Sequence, residues 1–162
     1  YIQISEAFRR KQDTLHFIKK AEKDTLAVYK YPEGTLVDLN EADTTELKKI
    51  PGIGSGIARM IVAYRKRLGG FYDMAQLKEV NYVDEDMLRW FKLGNAPIHR
   101  INANKAGLDK LRSHPYMNFY QAKVIIEYRR KKGKLKSLSQ LSLYEEFTEK
   151  DLERLSHYLA FD

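Results

Sequence analysis

The stretch KKIPGIGSGIARMIVAYRKR, residues 48–67, decides the fold. Three glycines fall within five positions, directly after a proline and directly before an amphipathic run. Pro51 closes the preceding helix, because its ring cannot extend the hydrogen-bond ladder. Gly52 and Gly54 both admit positive φ, so the chain is expected to reverse there within three residues. Ile53, between them, is expected to point inward and pin the hairpin to the core. Ser55 caps or opens the next helix, and Gly56 removes a side chain at its start. Ile57, Ala58, Ile61, Tyr64 and Leu68 then recur at helical spacing, and Gly69 is a natural stop. The hairpin therefore presents a row of N–H groups at Gly52, Gly54, Gly56 and Ile57, beside the positive end of a helix dipole. Such a nest suits one phosphate group. A turn alone needs only one glycine. Three favour close approach of an anion, to which Lys48, Lys49 and Arg59 add charge.

Outward from this stretch the chain repeats itself. Shifted by 64 residues, Asn40 falls on Asn104, Leu47 on Leu111, Pro51 on Pro115 and Ala58 on Ala122. Tyr64-Arg65 falls on Tyr128-Arg129, Gly69 on Gly133, Gln76-Leu77 on Gln140-Leu141 and Leu88 on Leu152. A gapless register of this length marks two copies of one unit. We read residues 38–97 and 98–162 as the two units, each of about four short helices, with 1–37 as an N-terminal helical or linker segment. The fold class is all-α. In the first unit Asp43-x-x-Glu46 reads as a capping box before Leu47 and Ile50. Asp73 and Asp84 open short helices through Val80 and Phe91. The second unit gives helices at about 107–114, 119–132, 137–144 and 148–160. No period-2 strand stands out inside the repeats. SEAFRRKQDTLHFIKKAEKD (5–24) reads as helix and TLAVYKY (25–31) as a short strand.

Composition sets the class of partner. The 162 residues carry a formal charge of +7, with a pI near 9.4. That balance favours nucleic acid, an anionic surface or an acidic protein. The excess sits late: residues 99–162 hold 13 basic and 8 acidic groups, against 9 and 9 in residues 38–98. Arg129-Arg130-Lys131-Lys132-Gly133-Lys134-Leu135-Lys136 is the densest basic run, and Arg130, Lys131, Lys132 and Lys134 are its candidate DNA contacts. The alternative is a solvated helix end whose cations suit the macrodipole. Cysteine is absent, which excludes disulfides and thiolate metal sites. No apolar run approaches the roughly 20 residues of a membrane span, so no membrane contact is expected of this stretch itself. The chain begins at Tyr1 without an initiator Met and is expected to be part of a longer protein. An anchor upstream would place it at the cell envelope or in the periplasm, and otherwise in the cytoplasm.

LNEADTTELKKIPGIGSGIARMIVAYRKRLGGF, within residues 38–71, resembles the helix-hairpin-helix module in its competence-type (ComEA-like) DNA-receptor form. The resemblance is strong over 38–80 and weaker over 102–144. It implies sequence-independent binding of double-stranded DNA across the minor groove, with hairpin N–H groups on phosphate oxygens. On that pattern Gly52, Ile53, Gly54, Ser55, Gly56 and Ile57 bind nucleic acid. It also implies a monovalent cation, K or Na, held by the backbone carbonyls of Lys48, Ile50 and Ile53, with no other cofactor. The setting would be DNA uptake (competence) or repair.

The other three hairpin positions depart from the pattern. In His114-Pro115-Tyr116-Met117-Asn118-Phe119-Tyr120, Tyr116, Asn118 and Tyr120 stand where the first unit has glycines, and both tyrosines are expected to obstruct a phosphate. Asn118 tolerates the left-handed region, which keeps a turn possible. Val80-Asn81-Tyr82-Val83-Asp84 lacks glycine, and Tyr144-Glu145-Glu146-Phe147-Thr148 is acidic. Loss of glycine at three of four positions favours a second reading, a protein-interaction scaffold with a protein partner. Tyr64 and Tyr128 occupy core positions. His16, His99, His114 and His157 show no ligand spacing, and Asp84-Glu85-Asp86 reads as an acidic helix start. Neither a glycosylase nor a nuclease constellation is visible, so no catalysis and no small-molecule substrate are expected.

Overall fold

The computed structural model describes residues 29–162. The expected helix over 5–24 and most of the expected strand over 25–31 lie outside them. Residues 29–31 form no strand; Tyr31 N–H instead donates to Lys49 O at 2.7 Å, laying this segment across the first hairpin.

The architecture is all-α, in two units. The first begins with β1 (Val37–Asp38), followed by α1 (Thr44–Leu47) and α2 (Ser55–Leu68). Two 3-10 helices follow at Met74–Glu79 and Glu85–Trp90, then β2 (Phe91–Lys92). The second runs through β3 (Ile101–Asn102), α3 (Leu108–Arg112), α4 (Phe119–Lys132), a 3-10 helix at Leu138–Leu141, α5 (Glu149–Ser156) and β4 (Leu159–Ala160). Each β pair is a two-residue parallel bridge: β1 with β2, and β3 with β4. These bridges tie the start of each unit to its end, and at two residues they are too short to show period-2 patterning. They also end α5 earlier than expected. The chain leaves the helix at His157 so that Leu159 and Ala160 can pair with Ile101 and Asn102. The gapless register fails here, because Val37 pairs with Phe91 but its counterpart Ile101 pairs with Leu159, 68 residues on rather than 64. At this place an eight-residue α-helix replaces a six-residue 3-10 helix.

The repeated residues have repeated jobs. Asn40 clamps the backbone of Phe71, donating to its carbonyl at 2.9 Å and accepting from its N–H at 2.8 Å. Asn104 does the same to Leu135, at 2.8 Å in both directions. Arg65 donates to the carbonyls of Leu39 and Ala42, and Arg129 to those of Ala103 and Ala106. Gln76 Oε1 accepts from the N–H groups of Tyr72 and Asp73, while Gln140 Oε1 accepts from Lys136 and Ser137. One apolar core joins the units, from Leu39, Leu47, Ile50, Ile53 and Ile61 to Leu111, Ile125, Leu141 and Tyr158, all at 1% exposure or less.

Candidate nucleic-acid interface

The fold reverses direction at four equivalent turns. Ile50–Ile53, Val80–Val83, His114–Met117 and Tyr144–Phe147 are each closed by an N–H donating to the carbonyl three residues back, at 3.1–3.2 Å. Each turn leads through one N-cap residue into a helix: Gly54, Asp84, Asn118 and Thr148 respectively. The four sites differ at that cap. The Asp84 carboxylate accepts from Met87 N–H at 3.1 Å, Asn118 Oδ1 from Gln121 N–H at 2.9 Å and Thr148 Oγ1 from Asp151 N–H at 3.1 Å. In each case the protein's own oxygen fills the anion position at the helix start. Gly54 has no side chain to do so, and α2 begins without a side-chain cap. Its first N–H groups are left for an acceptor from outside.

The glycines divide into two kinds. Gly52 has φ +87°, as a type II turn after Pro51 requires. Gly54 does not have the expected positive φ; it lies in extended backbone at φ −97°, ψ −174°, because an N-cap residue takes β-region angles. A Cβ built on Gly54 or Gly56 meets nothing within 4 Å. Neither backbone strain nor internal packing demands glycine at these two positions. What they achieve is a bare surface over the N–H groups of Gly54, Ser55, Gly56 and Ile57. Gly54, Ser55 and Gly56 are exposed, Ile57 is half-buried and Ile53 is buried in the core. Ile53 can therefore serve a ligand only through its backbone. Arg59 is exposed one turn into α2; Lys48 and Lys49 are half-buried, with the Lys49 ammonium 5.7 Å from the Tyr31 ring centroid.

The carbonyls of Lys48, Ile50 and Ile53 do converge. The group at their focus is the Lys30 ammonium, which donates to them at 2.5, 3.4 and 3.3 Å. Nothing in the local sequence around Lys30 announced this.

At the second unit's first hairpin the expected roles change. Tyr116 does not obstruct the surface: it is 5% exposed and turned into the junction between units, where its hydroxyl donates to Glu79 and accepts from Gln76. Tyr116 takes no positive φ, and Asn118 is extended at φ −93° and forms a reciprocal capping box with Gln121. Asn118 is there for the cap and not for a left-handed turn. Tyr120 is exposed and lies edge-on to Phe119, 5.5 Å between centroids. In the second turn of the first unit, Tyr82 takes φ +68° without being glycine.

The basic run also divides. Arg129 is structural, through its two carbonyls. Arg130, Lys131, Lys132 and Lys134 are exposed at the end of α4, and none joins an ion pair among the described residues. Lys132 lies 5.6 Å from the Tyr128 ring and 6.0 Å from that of Tyr144. The run is in the other unit from the open hairpin. In the acidic triplet, Asp84 caps its helix and Glu85 pairs with Lys78 at 2.9 Å. Among the described residues, no three His, Cys, Asp or Glu side chains gather as a metal site would need. No helix there is long and apolar enough to cross a membrane.

Four equivalent turns, each between two short helices, define a tandem helix-hairpin-helix protein. The family model for the helix-hairpin-helix motif matches residues 33–90 and 97–160, and the chain belongs to that family, a nucleic-acid-binding one. Curated relatives include endonuclease/exonuclease/phosphatase family domain-containing protein 1 of Mus musculus, 27% identical over 154 residues, and that of Danio rerio, 28% identical over 127 residues. These alignments cover 75% and 65% of this chain but 27% and 23% of the relatives, so the chain spans about a quarter of their length. No solved structure matches.

Proposed function

We propose that this chain binds double-stranded DNA without sequence preference, seating one backbone phosphate on the N-terminus of α2. The observation that carries this is the pair Gly54 and Gly56, glycine where neither strain nor packing calls for it, at the one helix start without its own side-chain cap among the four that follow the hairpin turns. Affinity comes from phosphate contacts and counterion release, with Arg59, Lys48, Lys49 and the exposed cations of the basic run contributing charge. The region acts by binding, with no chemistry of its own. Either setting that the resemblance raises, uptake or repair, is served by binding of this kind.

Gly54→Asp tests this sharply because its two effects have opposite sign. The new carboxylate caps Ile57 N–H and suits the helix dipole, so the protein should gain about 0.5 kcal/mol of stability. The same carboxylate occupies the phosphate position, so duplex binding should nearly vanish. Asn118→Asp, at the already capped second hairpin, should bind almost normally. Undiminished binding by a folded Gly54→Asp protein would overturn the reading. So would a strong preference for one duplex sequence at fixed salt.

A further inference from the structure

We infer that Lys30 is a built-in cation for the first hairpin: its ammonium holds the place among the Lys48, Ile50 and Ile53 carbonyls that the resemblance gives to a free monovalent ion. The inference rests on the DNA-binding reading only for its effect on affinity.

The match is one of donors to acceptors. An ammonium has three N–H donors and no acceptor. Three carbonyl oxygens face it, at 2.5, 3.4 and 3.3 Å. Lys48 and Ile50 follow the last turn of α1 and Ile53 closes the hairpin, so these oxygens include helix-end acceptors that the helix cannot satisfy. Charged donors make the stronger class of hydrogen bond. A dehydrated monovalent ion asks for the same thing, several carbonyl oxygens at close range. An ion at the focus of these three would coincide with the lysine nitrogen. Ion and ammonium are therefore competitors, and the ammonium is tethered, so it loses less freedom on binding.

The segment carrying Lys30 is itself fastened. Tyr31 N–H donates to Lys49 O at 2.7 Å, and the Tyr31 ring packs against the core. Glu33 pairs with Arg89 at 3.3 Å across the same end of the unit. Lys30 lies three residues before the first residue that the family model matches, so it is an addition to the module rather than a part of it. Shifted by the 64-residue register its counterpart is Gly94, which has no side chain to offer a cation. The device thus serves the first hairpin, the same one whose helix start is open. It fixes a positive charge behind the phosphate seat whatever the surrounding salt.

The test compares the protein with Lys30→Met, which keeps an apolar stem and removes the charge, and with Lys30→Gln as a second variant. Thermal midpoints are measured in KCl and in N-methylglucamine chloride at matched ionic strength, and ion occupancy by thallium(I) NMR. The unmodified protein should show one midpoint in both salts and no thallium binding. The variants should melt lower in N-methylglucamine, recover in KCl and bind thallium. Thallium binding by the unmodified protein overturns the inference, and that measurement needs no variant to fold. Variants with no preference between the salts overturn it as well. Duplex affinity, measured in parallel, should fall severalfold for the variants in N-methylglucamine and recover in KCl. If midpoints follow the cation and duplex affinity does not, the built-in cation stands and the phosphate reading fails.

Discussion

His114 occupies the position that Ile50 holds in the first unit, and both are buried. An imidazole in an apolar slot needs partners, and it has two. Nε2–H donates to Leu68 O at 2.8 Å, and Nδ1 accepts from Tyr116 N–H at 3.1 Å. That pairing requires the neutral ring, since a protonated Nδ1 would face an N–H. Burial lowers the His114 pKa below its ordinary 6.5, and the nearby Arg67 and Arg154 lower it further, against the Leu68 hydrogen bond. The unfolded chain therefore binds a proton more readily than the folded one. His114 contributes stability that is fully present above its unfolded pKa and is lost as pH falls toward the folded value. Urea midpoints should drop as pH falls below about 6.5, and His114→Gln should remove most of that drop. Equal pH slopes for the two proteins would show that His114 is not the titrating group. Its burial was not legible in the sequence. Lacking ligand spacing, it reads as an ordinary histidine, and only the fold shows that its slot lies at the junction.

Among the elements, those set by local chemistry were the most legible. Asp73 and Asp84 cap the helices they were expected to open, Asp43 caps α1 by accepting from Glu46 N–H although Glu46 does not complete the expected box, and Gly69 ends α2 at φ +93°. Partners distant in sequence were less so. The bridges at 37–38 and 101–102, the early end of α5 and the 3-10 geometry of the shorter helices all depend on what lies across the unit. The basic run shows the same limit within one helix. Composition gives Arg129 and Arg130 the same role, but Arg129 holds the Ala103 and Ala106 carbonyls while Arg130 is exposed. Arg129→Ala should therefore cost about 2 kcal/mol, leaving two carbonyls without their charged donor. Changing Arg130, Lys131, Lys132 and Lys134 together to Gln should cost little stability. It should weaken duplex binding and flatten the dependence of log K on log salt, by about 0.9 for each phosphate no longer neutralised. A stable quadruple variant with an unchanged slope would return the run to a solvated helix end. Lys132, held against two tyrosines, is expected to contribute least to that slope.

At the scale of the whole molecule, the two units meet around a polar network. Gln76 spends every hydrogen-bonding group it has. Its Oε1 takes two backbone N–H groups of its own unit, and its Nε2 donates to Tyr116 Oη at 2.9 Å and Tyr158 Oη at 2.7 Å in the other. Tyr158 passes the chain back, donating to Gly70 O at 2.7 Å, and burial pushes its pKa up to about 12. Tyr72 stacks on His157, with centroids 3.7 Å apart. The repeat register marked Gln76 and Gln140 as equivalent and so concealed their difference, since Gln140 Nε2 donates to Tyr128 within its own unit. A network satisfied only across the junction couples the two units in folding. The protein's single tryptophan, Trp90, lies buried in the first unit, while Tyr158 belongs to the second. Tyr158→Phe removes one hydroxyl and leaves a Gln76 N–H and the Gly70 carbonyl unpaired, at a cost of about 2 kcal/mol. If the molecule folds as one body, Trp90 fluorescence should report that whole loss, with its urea midpoint moving in step with helix loss by circular dichroism. A Trp90 transition left in place while helix melts earlier would mean that the second unit unfolds alone. The junction would then be a docking of two independent modules, and the open hairpin would keep its shape without its neighbour.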